Sequence, residues 1–361
     1  MNAAPAPSPP FLFPIRPLWT LALNSQITVA PAFDGSIGYF SIDGGRVVAY
    51  DLVPGTQKWI IDAQPDIEPA AGGGFLFTVE SGLLTARRSV DGSIEWQVPL
   101  SAELAVPAVW DNGWLITVTK NREISALRSA DGTTVWRRTI GGDAHARPAL
   151  AADRVYVPTD DGHVVALRVD DGTPVWDRTI SAAANDILAL DERLYVGSND
   201  NNLYCILTKD GSIDWMWPTG GDVIGRPVFD ERNVYFVSLD NILRALDLKS
   251  GAQRWKTMLP IRPTRGPLRA SDALIVAGIA PKVVAYNTKD GKPAGDVPST
   301  GDLAAAPQLV EIDPAAKPIL ILVTSDIAKG AGVAALTRAT DPPVVPIAPL
   351  PNITLVMVPK S

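Results

Sequence analysis

The sequence predicts an all-β chain, an eight-bladed β-propeller whose ring is closed by an N-terminal strand, and three observations carry that expectation. A unit of about forty residues recurs along the 361-residue chain. Each well-kept copy of the unit holds a glycine followed four residues later by a tryptophan. Between these marks, short apolar runs alternate with turn pairs, and 29 glycines with 32 prolines are scattered too densely for uninterrupted helices.

The elements of one unit can be read in order. Its first strand is entered through a proline, at Pro31, Pro69, Pro107, Pro148, Pro227, Pro267 and Pro307. Proline lacks a ladder donor, so it fits the start of a strand better than its middle. A β-hairpin follows: Arg154-Val-Tyr-Val-Pro158 carries an apolar run, Asp161-Gly162 is a turn pair, and His163-Val-Val-Ala-Leu167 carries another apolar run. Asp43-Gly44, Ser81-Gly82 and Asp240-Asn241 stand in the same register. The unit ends on a small residue, a glycine six positions later and the tryptophan: Ala49, Gly55 and Trp59 in the first copy. The same trio recurs as Ala86, Gly92, Trp96; Ala126, Gly132, Trp136; Ala166, Gly172, Trp176; Cys205, Gly211, Trp215; and Ala245, Gly251, Trp255. A seventh copy has Ala285 and Gly291 but Gly295 in the tryptophan slot, and an eighth has Ala335, Asp341 and Val345. Four strands per forty residues make a propeller blade, and eight copies make eight blades.

Trp19 stands forty residues before Trp59 with no unit ahead of it. Its strand is expected to pair with blade eight and close the ring, which removes two exposed strand edges. The division that follows is a Pro-rich extension over residues 1–16, the propeller over 17–347 and a tail over 348–361. Prolines between 342 and 351 bar a central strand there, and the apolar residues 353–358 have no assigned place.

Composition narrows the function. Hydrophobic residues make up 46% of the chain, enough for a buried core, and the formal net charge of −7 offers no cationic field for nucleic acid. The one cysteine, Cys205, excludes an internal disulfide, and two histidines, His145 and His163, exclude a Cys/His metal cluster. The start of the chain lacks the basic, unbroken apolar pattern of a signal peptide, and no run reaches the length of a transmembrane segment. No Gly-x-Ser-x-Gly elbow or His-Glu-x-x-His motif occurs.

The pattern Ala-x-Asp-x-x-x-Gly-x-x-x-Trp, complete at Ala49, Asp51, Gly55 and Trp59 and at Ala245, Asp247, Gly251 and Trp255, resembles the tryptophan-docking motif of pyrroloquinoline-quinone-type propeller repeats. That superfamily includes quinoprotein dehydrogenases and the BamB-like propellers of outer-membrane assembly. The resemblance implies that each indole packs on the glycine turn of the neighbouring blade, so Trp19, Trp59, Trp96, Trp136, Trp176, Trp215 and Trp255 are structural. It also implies a periplasmic or cell-envelope location. The resembling dehydrogenases hold their quinone in the propeller axis with calcium, an Asp base and, in many, a pair of adjacent cysteines.

Cys205 fills the small-residue slot and reads as a buried alanine replacement. Asp170-Asp171 and Asp200-Asn201-Asn202 lack calcium-loop spacing and read as turns. Trp110 and Trp114 flank Asp111-Asn112-Gly113 and read either as a cross-strand pair or as partner anchors. Residues that lead into the innermost strands should ring the central channel: Arg147, Arg226 and Arg265 on one arc, Asp66, Glu68 and Glu103 on another. Such a lopsided mouth would orient a protein partner, or its arginines would tie blades together through carbonyls or Asp143 and Asp222. The expectation is therefore a monomeric, non-catalytic scaffold without cofactor that binds a protein. The competing expectation is a quinoprotein-like oxidoreductase or small-ligand sensor using the channel.

Overall fold

A computed structural model of the chain describes residues 12–299, 301–310, 317–326 and 329–339. Within them every regular element is a strand, and the strands form eight blade sheets that succeed one another around a ring, with one two-stranded sheet besides. Blades one to seven span residues 32–62, 70–99, 109–139, 149–179, 184–218, 223–258 and 268–298. In each the four main strands pair antiparallel in sequence order from the axis outward, as in blade four with Ala149–Ala151, Arg154–Pro158, His163–Arg168 and Pro174–Thr179. Blade seven carries an added ribbon, Arg262–Pro263 against Gly278–Ile279. The eighth copy's Asp341 and Val345, with the tail beyond, lie outside the described residues.

Blade eight is completed from the far end of the chain. Its strands are Asp302–Leu303, Gln308–Val310, Ile319–Asp326 and Gly330–Arg338, and the outermost place is taken by Ile15–Ala22. Trp19 pairs with Ala335 in that strand couple, so the small residue of the eighth copy meets the orphan indole of the first.

Burial follows from position. The second and third strands of a blade are covered by neighbouring blades on both faces, so Val155, Tyr156 and Val157 or Leu194, Tyr195 and Val196 are all buried without alternation. The outer strand has one covered face, and its burial alternates. Hydrophobic clusters therefore sit in the seams: Tyr156, Val164 and Ala166 of blade four pack with Ile187, Leu194 and Tyr204 of blade five.

The repeat's three marked residues act together at each seam. Ala49, Ala86, Ala126, Ala166, Cys205 and Ala245 pair with the indole-bearing residues of the outer strands. Their smallness lets an aromatic of the second strand approach, with Tyr39–Trp59, Tyr156–Trp176 and Tyr235–Trp255 centroids at 5.7, 5.7 and 5.8 Å. The indole then lies on the next blade's turn glycine: a Cβ on Gly132 (φ 73°) would stand 2.6 Å from the Trp96 ring, and one on Gly172 would be equally close to Trp136. Trp19 docks on Gly55, Trp59 on Gly92, Trp176 on Gly211, Trp215 on Gly251 and Trp255 on Gly291. Each indole except Trp215 donates its N–H to a carbonyl of that next blade, as Trp136 does to Val169 at 2.7 Å. Trp215 has no acceptor among the described residues, while Tyr195 Oη donates to Leu248 carbonyl, in the next blade, at 2.9 Å.

Where blade seven lacks its indole, the segment just before the N-terminal strand supplies another ring. A Cβ on Gly295 would stand 2.7 Å from Phe13, and Leu12 beside it is fully buried among Ala270, Ile275 and Leu320.

Candidate functional site

The segments that run from each outer strand inward to the next innermost strand, the inlet face of the ring, carry Asp66, Glu68, Glu103, Arg147 and Arg265 of the six charged residues singled out from sequence, while Arg226 lies within the innermost strand Val223–Phe229. Strand register gives their equivalences. Ala32, Ala70, Val109, Ala149, Leu188, Val228, Leu268 and Gln308 each pair with the second-strand residue that faces the small-residue slot. Two residues earlier, one tier of the bore reads Ala30, Glu68, Pro107, Arg147, Asp186, Arg226, Gly266 and Ala306 from blade one to blade eight.

Glu68 and Arg147, from blades two and four, form an ion pair that spans blade three. Asp186 is half-buried in blade five, and burial raises its carboxyl above the usual carboxylate range while Arg147, Arg226 and His145 oppose the rise. Arg226 keeps solvent contact along the bore yet is ringed by protein. That enclosure lowers its guanidinium pKa from the ordinary value, against the opposing charges of Asp186 and Asp111. Arg265 stands next to it across the seam, because Gly225 and Gly266 let the two backbones touch: a Cβ on Gly225 would be 2.0 Å from the Gly266 nitrogen. Among the described residues neither Arg226 nor Arg265 has a carboxylate within 4.0 Å.

The expected division into a basic and an acidic arc is corrected by this geometry. Asp186 falls between Arg147 and Arg226, and Glu68 binds Arg147, so the charges alternate around the tier. Blade five has no proline before its innermost strand, which hid Asp186 from the sequence; counting register from Cys205 would have found it. Glu103 lies out on the rim, where Lys120 binds it at 2.6 Å, and Asp66 accepts the Ser81 amide at 2.6 Å. Asp143 binds Arg122 at 2.8 Å instead of tying down Arg147.

The remaining candidates have local roles. Trp110 lies on Gly72-Gly73 of blade two and donates to Ser129 Oγ at 3.1 Å, whereas Trp114 carries the Arg128 guanidinium 5.0 Å from its ring. The two tryptophans therefore serve separate contacts and do not pair. Asp171 and Asp200 accept the amides of Thr173 and Asn202, each two residues on. Cys205 is buried in the seam of blades five and six, away from the bore, and burial pushes its thiol up to about 12. Among the described residues no group of three or more His, Cys, Asp or Glu is placed to hold a metal ion. With one cysteine, and that one in a seam, these residues do not fit a calcium-bound quinone backed by a cysteine pair.

An eight-bladed ring with indoles docked on glycine turns and a charged bore defines the class as a propeller of quinoprotein-type repeats. The family model described as outer membrane protein assembly factor BamB matches residues 16–104, 90–189 and 184–305, and the chain belongs to that family. Outer membrane protein assembly factor BamB of Yersinia pestis is 28% identical over 111 residues, 29% of this chain and 28% of that protein. The protein of the same name from Nitrosomonas eutropha is 27% identical over 119 residues, 31% of this chain and 29% of its own. The matched stretches thus span under a third of these relatives' lengths.

Among solved structures, BamB from Moraxella catarrhalis superposes with a TM-score of 0.68 at 21% identity, over 91% of this chain and 98% of that one. Quinohemoprotein alcohol dehydrogenase from Comamonas testosteroni gives 0.68 at 13% identity over 91% and 77%. At these identities the superpositions speak for the fold. Among the described residues no helix is long and apolar enough to cross a membrane.

Proposed function

We propose that this chain is a non-catalytic scaffold of the cell envelope that binds a protein partner during outer-membrane protein assembly. The family match over residues 16–305 is the observation that supports this reading most directly. The inlet face is the proposed docking surface, with Glu68, Arg147, Arg226 and Arg265 at the bore and Asp66 and Glu103 around it. A rigid disc with side chains presented on connecting segments suits recognition, since variation there leaves the seams untouched. Opposite charges set close together favour one orientation of an incoming charged surface over others.

The arginines divide in what they stand to lose. Arg147 neutralises Glu68, so its removal strands a carboxylate in the bore, whereas Arg226 and Arg265 have no bound acid. The test is capture of a co-purifying envelope partner by wild type, by Arg226→Ser with Arg265→Ser, and by the triple variant adding Arg147→Ser. The double variant is expected to melt like wild type yet capture about tenfold less partner, more visibly at low salt. Undiminished capture with a lowered melting temperature would assign these arginines to holding the ring together. Addition of pyrroloquinoline quinone with calcium, followed by visible spectroscopy, checks the oxidoreductase alternative; quinone-dependent turnover would refute the scaffold reading.

A further inference from the structure

The two most exposed large apolar side chains among the described residues are Met258, at 76%, and Ile279, at 72%. One such residue alone is ordinary on a protein surface. Strand pairing, however, brings these two to the same end of neighbouring blades. Met258 pairs with Ile242, where the third strand of blade six leaves its hairpin, and Ile279 lies in the corresponding hairpin of blade seven. Arg262, four residues after Met258, pairs with Ile279 in the added ribbon, so no more than about 14 Å of chain separates Met258 from that ribbon.

The charge around them is one-sided. Residues 248–271 hold six lysines and arginines and no acid, in a chain where acids outnumber lysines and arginines 39 to 32. At this end of blades six and seven, Arg244 and Lys282 bind Asp240 and Asp296 and cancel them. The other acids of the two blades lie in turns at the opposite end, except Asp222. Against Asp222 stand Arg226 and Arg265 at the bore and Lys256 and Arg262 nearer the rim. Lys256 and Arg262 are exposed, and neither has an ion-pair partner among the described residues.

We propose that this end of blades six and seven rests on an anionic lipid surface, with Met258 and Ile279 entering the interfacial layer and Lys256 and Arg262 against the headgroup phosphates. Protein partners draw most of their affinity from anchors closed into well-packed pockets. Side chains as exposed as Met258 and Ile279 stand clear of their neighbours and line no pocket. A bilayer interface takes up such isolated apolar groups directly, and anionic headgroups complement the cations beside them. The inference goes beyond protein docking at the bore and uses none of the residues assigned to it.

Co-sedimentation of the full chain with vesicles tests it, using phosphatidylcholine alone and phosphatidylcholine mixed with phosphatidylglycerol. Binding to the mixed vesicles at low salt is expected, with little to the neutral ones and a decline as salt screens the headgroups. Lys256→Gln and Arg262→Gln should each weaken it about fivefold. Met258→Ser with Ile279→Ser should weaken it at least about tenfold. All four positions are exposed, so thermal melts of the variants are expected to match wild type. No binding to the mixed vesicles, equal binding to both kinds, or binding unmoved by the charge variants or by the apolar pair would overturn the proposal. Partner capture that depends on these four residues, without vesicle binding, would likewise overturn it and assign the patch to a protein. Vesicle binding by a chain that captures no partner would leave this inference standing while the docking reading falls.

Discussion

Glycine at positive φ is frequent in this chain, but at the docking turns an indole occupies the place where a Cβ would stand. Gly132 and Gly35 separate the two effects, since both have left-handed backbone (φ 73° and 55°), while only Gly132 has a ring against it. Alanine at either position meets the backbone penalty, about 1 kcal/mol or more. Gly132→Ala must also displace Trp96, and it should lose on the order of 1–3 kcal/mol more than Gly35→Ala in chemical denaturation. Equal losses would remove the indole contact from the stability of the seam. A second residue sets an acid limit. Burial alone would raise the Asp240 carboxyl, but hydrogen bonds from Arg244 at 2.5 Å, Ser238 and the Gly220 amide outweigh it and hold the pKa at about 2. Because the folded value lies below the unfolded one, the contribution is complete above about pH 4 and disappears as pH falls towards 2. Asp240→Asn should therefore show a shallower loss of stability across that window than wild type, measured by urea titration at each pH; an unchanged slope would place the acid sensitivity elsewhere. At this scale the sequence was legible where a residue type is tied to a repeat position, as with Gly132 and Trp96. It was not legible for Asp186, whose place depends on register in a blade that lacks the proline marker.

At the scale of elements, the blade that departs most from the repeat is the one assembled from both ends of the chain. The Trp19 strand could be placed from sequence, because its indole keeps the repeat spacing and the eighth copy lacks that piece. Phe13 could not, because it precedes the spacing and substitutes for an indole in blade seven, not blade eight. Its ring fills the volume above Gly295, and Leu12 anchors it from below in the seam. Phe13→Ala should cost about 1–3 kcal/mol, less than the roughly 3–5 kcal/mol of a fully buried aromatic, since Phe13 is only partly buried. Thermal melts of Phe13→Ala beside Leu18→Ala, an exposed residue of the strand that follows it, would check this. A similar small loss for both would reduce Phe13 to a passenger.

At the scale of the whole molecule, blade eight is completed from the start of the chain, because Ile15–Ala22 covers the outer side of Gly330–Arg338. Deletion of residues 1–23 should lower stability out of proportion to its length and yield soluble oligomers through the bared strand, visible by light scattering. A truncated chain that stays monomeric and melts like the full one would show that the ring holds without this strand. Ring architecture was readable because each seam repeats the same three residues. The bore was read only in part, since its ion pair joins blades two and four and no local pattern links Glu68 to Arg147.

The pairing of Ile15–Ala22 with Gly330–Arg338 also imposes an order in time. During synthesis at about 5–20 residues per second, the first strand leaves the ribosome roughly 15–60 s before its partner exists. Blades one to seven have their own four strands and can form as they emerge, but Phe13 must wait for blade seven, and the strand Ile15–Ala22 must wait for its partner in blade eight even though the Trp19 indole can already dock on blade one. The growing chain therefore carries an unpaired β-strand for nearly the whole of its translation, the interval in which another nascent chain can take the vacant place.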